Sequence, residues 1–381
     1  MQTINIAMIM PIRGLATFHP FPAVHEFIPN LISGISDIVA QRPNWNARIW
    51  ESDHLDPDGL LRRWQYERPD AVLVFPINDL RSGPLQALGV PTVSLLIPDG
   101  SLPMVGMDHM AIGTLAARYL FAPGWTAILV GRTSEDWWSQ RCRGFQAAWP
   151  GSKAVGCPTD ADALLHWSSE LPARTAIFAD HDVTASIVLS ALMKAGRRFG
   201  DDLRLLSVDD EVLCRLSKPT ISSIRLPWRA IGRNAALLLD RLIRNEETAH
   251  TVRIPPAGIA TRASCGAIPF GDPMLGAVYR SLCVAVEAGS LDPMAKMVGH
   301  PQSSLRTIER AWKRSTGSTL MRSLQQIRCD LALRLVNGGM DDLDAIARAC
   351  GCGGRQNLRR ILQRHAGVGS SDLAMLLDSS H

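Results

Sequence analysis

Basic side chains recur at helical spacing in two short stretches near the carboxy end of this 381-residue chain. The first reads Ser304-Leu305-Arg306-Thr307-Ile308-Glu309-Arg310-Ala311-Trp312-Lys313-Arg314. On a helix, Leu305, Ile308 and Trp312 share an inward face, while Arg306, Arg310, Lys313 and Arg314 project outward. Ser304 is placed to cap the amino end of that helix. The second stretch, 355–365, carries Arg355, Gln356, Arg359, Arg360 and Arg364. Guanidinium groups gathered on one helical face grip phosphate or read guanine bidentately, and such a helix fits a major groove. For any single arginine, a phosphate contact is the commoner outcome.

Net charge agrees with that chemistry. Residues 272–381 hold 14 Lys+Arg against 10 Asp+Glu, whereas residues 1–271 hold 26 of each. An uncharged body with a basic helical tail suits a sensor joined to a nucleic-acid reader. The length suits two or three domains, and 46% hydrophobic with 20% charged residues is a globular composition. The eight Cys are scattered without paired CxxC sets, which points to a reducing cytoplasm and argues against a metal site at Cys350 and Cys352. The apolar amino terminus lacks a basic leader and is interrupted by Pro11, and no later stretch reaches the roughly 18–20 apolar residues of a membrane span. A cytoplasmic protein without a membrane partner is expected.

Enzyme chemistry has no support in the motifs. GxGxxG after the first strand, GxxxxGK[ST], HExxH and GxSxG are all missing, and His19, His25, His54 and His109 are not spaced as metal ligands. No catalytic residue, cofactor or metal is expected.

Elements that would position a site alternate through residues 1–265. Apolar runs at 4–10, 47–50, 71–75, 92–96, 127–130, 175–179 and 204–208 read as strands. Amphipathic runs at 24–41, 58–66, 80–88, 112–121, 140–148 and 183–195 read as helices. Such alternation predicts parallel sheets covered on both faces, with ligands outside the carboxyl ends of the strands. Pro and Gly crowd 255–273, which predicts a boundary, and the pattern beyond is purely helical.

Ordered motifs fill this first part: Val105-Gly106-Met107-Asp108, Arg141-Cys142-Arg143-Gly144-Phe145, Thr175-Ala176-Ile177-Phe178-Ala179 with Asp182, Leu205-Leu206-Ser207-Val208-Asp209-Asp210, and Thr261-Arg262-Ala263-Ser264. Their succession resembles the effector-binding core of the LacI/ribose-binding-protein family over residues 1–265. The resemblance implies two doubly wound subdomains joined by crossovers near 123–126, 225–228 and 246–252, closing on a small carbohydrate-like molecule. It makes Arg141 the effector-binding arginine, Asp209 the acid ending a late strand, and Asp182 part of a polar turn in which His181 replaces the usual asparagine. Arg13, past the first strand, is placed to enter the cleft, and Trp137 or Trp138 to stack on the ligand. Structural alternatives stand beside these roles. Arg141 and Asp209 can pair as an ion bridge, Asp182 can cap the helix after it, Trp137-Trp138 can form a packed corner, and Arg13 can be a solvated cation. The aromatic loop at 14–24 leaves room for a bulkier effector than a pentose.

In its LacI-type relatives such a core follows a DNA-binding headpiece; here the core starts at residue 2, and the tail supplies the reader. Residues 274–375 resemble the AraC-family DNA-binding domain, with helix pairs ending at 304–314 and 355–365 on either side of a long helix at 320–336. The resemblance implies that Ser304, Arg306, Thr307, Arg310, Lys313, Arg314, Arg355, Gln356, Arg359 and Arg360 face double-stranded DNA. Departures weaken the second unit: Leu358, Leu362, Cys352 and Ser370 replace typical family residues, and Gly353-Gly354 would loosen its turn. A LacI-like core before an AraC-like tail resembles the xylose-operon activators, which implies an effector-responsive homodimer controlling carbohydrate use. The alternative is a small-molecule binding module whose tail contacts protein.

Overall fold

The computed structural model describes residues 2–10, 27–51, 57–75, 89–96, 102–133, 135–200, 202–246, 251–265, 273–294, 304–316, 319–337, 339–366 and 373. The chain opens with β1 (Ile4–Met10), α1 (Phe27–Val39), β2 (Trp45–Glu51), α2 (Pro57–Glu67), β3 (Ala71–Val74), β4 (Thr92–Leu95) and β5 (Met104–Met107). It continues as α3 (His109–Leu120), β6 (Thr126–Gly131), α4 (Asp136–Ala148), β7 (Lys153–Gly156), α5 (Ala161–Glu170), β8 (Thr175–Ala179), α6 (Asp182–Lys194), β9 (Leu203–Asp209), α7 (Val212–Leu216) and β10 (Ser222–Arg225). Then come α8 (Trp228–Ile243), β11 (Thr251–Ile254), β12 (Ile259–Ala260) and the tail helices α9 (Pro273–Glu287), α10 (Leu305–Thr316), α11 (Leu320–Asn337), α12 (Leu343–Ala349) and α13 (Arg355–Ala366). The helix expected at 80–88 lies outside the described residues. Sequence reading missed the short strands β5, β7, β10, β11 and β12.

Two compact units result: Met1–Met107 with Pro227–Ile254, and Asp108–Leu226 with Pro255–His381. The first holds a fully parallel sheet in the order β11-β5-β4-β3-β1-β2. The second sheet repeats that order as β12-β10-β9-β8-β6-β7, with one antiparallel pair between β10 and β12, so it is mixed rather than purely parallel. Strands β3 and β8 are buried along their whole length, as sheets covered on both faces require. The chain leaves the first unit at Met107–Asp108, not at 123–126, because α3 packs on α4 within the second unit. The second crossing, at Leu226–Pro227, lies where expected, and the third falls at Ile254–Pro255, just beyond 246–252, because β11 still pairs with β5.

Each unit fastens a helix pair by backbone contact at glycine. In the first, a Cβ on Gly34 would sit 2.0 Å from the Arg229 carbonyl oxygen, and one on Gly232 2.1 Å from that of Leu31. Ion pairs flank this crossing, Asp37 with Arg229 at 2.8 Å and Arg42 with Asp240 at 2.8 Å. In the second, a Cβ on Gly113 would meet the Arg141 carbonyl oxygen at 1.9 Å, and one on Gly144 that of Met110 at 2.1 Å. Aromatic rings continue the second core from Trp138 through Phe178 and Phe145 to Trp149, with centroids 5.5–5.9 Å apart.

The tail buries the faces that its periodicity predicts. Leu275, Val278 and Leu282 of α9, Ile308 and Trp312 of α10, and Leu320, Leu324 and Ile327 of α11 share one core, and the Trp312 indole N–H donates to the Ser323 hydroxyl at 3.0 Å. Arg328 departs from the picture of a solvated basic surface. It is buried and donates to the carbonyls of Ser290 and Leu291 at 3.2 and 2.8 Å, tying α11 to the turn after α9. The turn before α13 is built rather than loosened by its glycines. Gly351, Gly353 and Gly354 all have positive φ, and a Cβ on Gly351 would lie 2.1 Å from the Ser290 carbonyl oxygen. The helix expected at 292–298 is described only to Met294, in a turn, and most of the linker at 255–273 beyond Cys265 lies outside the described residues.

Gly144→Ala is expected to lower stability by about 1–3 kcal/mol through overpacking at the α3–α4 crossing. Gly156→Ala, where no atom lies within 4 Å of the added methyl, is expected to stay within about 1 kcal/mol of the parent. Urea unfolding of the two variants checks this, and equal stabilities would refute a close helix crossing at Gly144.

Candidate functional site

Strand order reverses between β6 and β8 in the second unit, which opens a crevice beyond their carboxyl ends. Asp180, the residue after β8, fills that position. It is fully buried and accepts the Arg132 backbone N–H at 2.7 Å through one carboxylate oxygen. Its other oxygen lies 2.6 Å from Nδ1 of His181, which in turn lies 2.9 Å from the Thr184 hydroxyl. Burial alone would raise the Asp180 pKa, but the hydrogen bond and charge of His181 and the Arg132 N–H hold it below the ordinary value. Sequence reading missed Asp180. Its signal was position: an acid directly after the fully apolar run 175–179.

Arg141 reaches the same place from α4. Its side chain is buried, and Nη1 donates to the Asp180 carbonyl oxygen at 2.6 Å. Its guanidinium carbon lies 4.5 Å from the centre of the Trp137 ring, one turn earlier on α4. Burial lowers the Arg141 pKa, against the charges of Asp209, Asp180 and Asp182, which raise it. Asp209 therefore acts on Arg141 through its charge, while the guanidinium makes its hydrogen bond to a backbone carbonyl. Its Nε is buried with no hydrogen-bond partner. A buried donor of this kind is what an oxygen-rich ligand satisfies.

Asp182 does not cap the helix after it. Helix α6 begins at Asp182 itself, with His181 as the capping residue, so Asp182 is not the N-cap. Its carboxylate accepts the Glu211 backbone N–H at 2.7 Å and the Ser223 hydroxyl at 2.8 Å, and it thereby holds the turn after β9. Burial and the nearby Asp209 charge push its pKa up to about 7. In that turn Asp209 and Asp210 both adopt positive φ, 109° and 60°. Non-glycine residues there are strained, and such strain gathers at functional sites. Of the two tryptophans, Trp138 belongs to the core: it packs on Phe178, and a Cβ on Gly131 would meet its indole nitrogen at 2.5 Å. Trp137, half-buried over Arg141, is left as the ring available for stacking. Arg13 lies outside the described residues.

The strained turn is wired to the tail. Asp210 receives Arg225 Nε at 3.0 Å and Arg262 Nη2 at 2.5 Å, and its backbone N–H donates to Ser223 at 3.0 Å. Nη1 of Arg225 lies 3.7 Å from the carboxylate of Asp330 on α11. Burial pushes the Asp330 pKa up to about 6, despite the opposing charges of Arg225 and Arg262. Among the described residues, this chain of charges runs from the end of β9 to the longest tail helix.

On the tail surface, Ser304, Arg306, Thr307, Arg310, Lys313 and Arg314 are exposed on α10 and its leading edge, and Arg355, Gln356, Arg359 and Arg360 are exposed on α13. Some of these side chains have partners on the protein. Ser304 and Thr307 hydroxyls lie 3.0 Å apart, Arg355 is 3.9 Å from Asp344, and Arg360 donates to Asn357 at 2.8 Å. The turn between the first helix pair, 295–303, lies outside the described residues. No group of three metal-ligating side chains, and no helix long and apolar enough to cross a membrane, occurs among the described residues.

Residues 132–265 match the periplasmic binding protein-like domain family. The chain is 25% identical over 194 residues to the xylose operon regulatory protein of Haemophilus influenzae, which covers 49% of each protein. It is 27% identical over 191 residues to the protein of the same name from Escherichia coli K12, covering 49% of this chain and 48% of that one. The HTH-type transcriptional regulator CelR of Thermobifida fusca is 26% identical over 210 residues, 49% of this chain and 60% of the relative. The chain thus spans about half the length of the curated relatives it matches first. Among solved structures, a xylose-binding transcription activator xylR aligns over 98% of both chains with a TM-score of 0.55 at 18% identity. A CelR–cellobiose complex aligns over 69% of this chain and 85% of that one, with a TM-score of 0.54 at 21% identity. At these identities the structures establish a shared fold: a two-sheet periplasmic-binding-like α/β body with a helical carboxy-terminal region.

A pH measurement checks the electrostatics of the link to the tail. With a folded pKa of about 6 against an ordinary 3.8, Asp330 binds more protons folded than unfolded between those values, so its contribution to stability falls as pH rises through that window. Asp330→Asn removes this loss. The variant's melting temperature relative to the parent is expected to be higher at pH 7.5 than at pH 5. A difference that stays constant, or that falls from pH 5 to pH 7.5, would overturn the assignment.

Proposed function

We propose that the chain is an effector-responsive, DNA-binding transcription regulator that senses a sugar or sugar-like metabolite and controls carbohydrate use. One observation carries this: a polar, strained cluster at a topological switch point shares a compact unit with α10 and α13, whose described Lys and Arg side chains are exposed. The names of the relatives, two xylose operon regulatory proteins and an HTH-type transcriptional regulator, support it.

In this mechanism a polyhydroxylated ligand takes hydrogen bonds from Arg141, including its unsatisfied Nε, and donates hydroxyls to Asp209, while the Trp137 ring covers an apolar sugar face. Asp180 and Asp182 are positioning residues, the first fixing Arg141 and the second the turn that carries Asp209. Arg13 is proposed as a further contact. Moving Asp209 moves Asp210, and through Arg225 the carboxylate of Asp330 on α11. A ligand that prefers one arrangement of that chain stabilises it by its differential affinity.

The tail is proposed to be an AraC-type reader with two helix-turn-helix units, α10 and α13 being the groove-facing helices, in a homodimer. A second reading, in which the tail contacts protein, draws on the apolar side chains of Val284, Leu291 and Met321, which are exposed. Fluorescence anisotropy with DNA from upstream of the gene separates the two. Binding is expected to weaken steeply with salt, and Arg306→Ala with Arg310→Ala to lower the slope of log K against log salt by about 2. Salt-indifferent binding, or an unchanged slope in the folded double variant, would sink the DNA assignment. For the effector, a thermal-shift screen of sugars is expected to yield a ligand that adds about 2.7 kcal/mol at 100 times its Kd. Arg141→Met is expected to abolish that gain.

A further inference from the structure

A cavity lies within the same unit, at the opposite end of β9 from the strained turn. It has a volume of about 450 Å³ and is walled by the end of α3, the start of β9, and the tail helices α9, α11 and α13. Such a volume suits a metabolite-sized molecule. Its charged lining is lopsided: Arg118, Arg204, Arg322 and Arg364 against the single carboxylate of Asp330, with His365 beside them. Among the described residues, none of the four arginines makes an ion pair. Arg204 instead stacks its guanidinium 4.3 Å from the Trp125 ring centre and donates weakly to the Leu120 carbonyl at 3.4 Å, leaving its Nε buried with no partner.

We propose that this cavity is a second effector site for a small phosphorylated metabolite, distinct from the switch-point cluster, whose phosphate is gripped by arginines from both the α/β body and the tail. Arginine forks match phosphate oxygens bidentately, and four arginines without ion pairs around one open cavity, against a single carboxylate, favour an anionic guest over a neutral one. His365 registers that field. Its pKa is pushed down to about 4, first by burial and then by the charges of Arg322 and Arg364. Because the walls come from α3 and β9 on one side and α9, α11 and α13 on the other, a bound anion neutralises both sides at once. It therefore favours the docked arrangement of the tail. The cavity needs no DNA and no sugar, so the proposal stands apart from the regulator reading.

Thermal shift and calorimetry on the full chain test it at constant ionic strength, with glucose 6-phosphate, inorganic phosphate, citrate, glucose and sodium chloride as probes. Glucose 6-phosphate is expected to raise the melting temperature by several degrees over glucose and chloride, with inorganic phosphate weaker. Arg322→Gln with Arg364→Gln, both exposed positions, is expected to weaken glucose 6-phosphate binding at least tenfold. Arg118→Gln, on a different helix, is expected to weaken it as well, and circular dichroism confirms folding. The proposal is overturned if no phosphate probe exceeds chloride, if citrate binds as tightly as glucose 6-phosphate, or if the variants bind like the parent. It is equally overturned if the double variant loses DNA affinity while keeping the phosphate shift, since those arginines would then serve a nucleic-acid backbone.

Discussion

Burying the Arg141 guanidinium strips it of water, a cost of several kcal/mol that only close negative charge can offset. The second unit supplies that charge from three aspartates, Asp180, Asp182 and Asp209, at the carboxyl ends of neighbouring strands. Two of these carboxylates are in turn held by protein donors: Asp180 by the Arg132 N–H and His181, and Asp182 by the Glu211 N–H and Ser223. Three carboxylates thus surround one guanidinium, and the surplus of negative charge together with burial raises the Asp182 pKa. The Arg141 Nε remains buried without a hydrogen-bond partner. A buried donor left in this way is what marks the cluster as the candidate site.

Geometry around Arg141 is enforced from outside the cluster. Its backbone carbonyl presses against Gly113 of α3, so the α3–α4 crossing sets how far α4 stands from the sheet. Trp138 fills the space under Gly131 and turns the neighbouring Trp137 toward the guanidinium. The same backbone-to-backbone crossing at paired glycines recurs between α1 and α8 in the first unit, beneath a sheet of the same strand order. Both units therefore solve helix packing in one way, and only the second carries the described polar cluster.

A short chain of charges joins the cluster to the tail. Asp209 and Asp210 are consecutive residues in strained conformations, so a shift of one moves the other. Asp210 anchors Arg225 and Arg262, and Arg225 faces Asp330 in the middle of α11, the helix that contributes to the tail core shared with Trp312. Buried charges are good transmitters of this kind because their partners cannot be exchanged for water.

Periodicity in the sequence determined most elements of regular structure. The run at 4–10, the helix faces of α1 and α10, and the exposure of Arg306, Arg310, Lys313 and Arg314 follow from alternation and helical spacing, which are local properties of the chain. Composition also determined where the positive charge lies. Short strands such as β5 and β10 were invisible to the same reasoning, since Gly106 breaks the apolar run of the first and Ser222-Ser223 that of the second, unlike the continuous apolar run of β3. Only the tertiary structure decided which polar residues meet. It placed Asp180 at the switch point, turned Asp182 from a helix cap into the anchor of a distant turn, sent Trp138 into the core, and withdrew Arg328 from the basic surface. Each of those outcomes depends on contacts between residues tens of positions apart, set by strand order and helix crossing rather than by any neighbour along the chain.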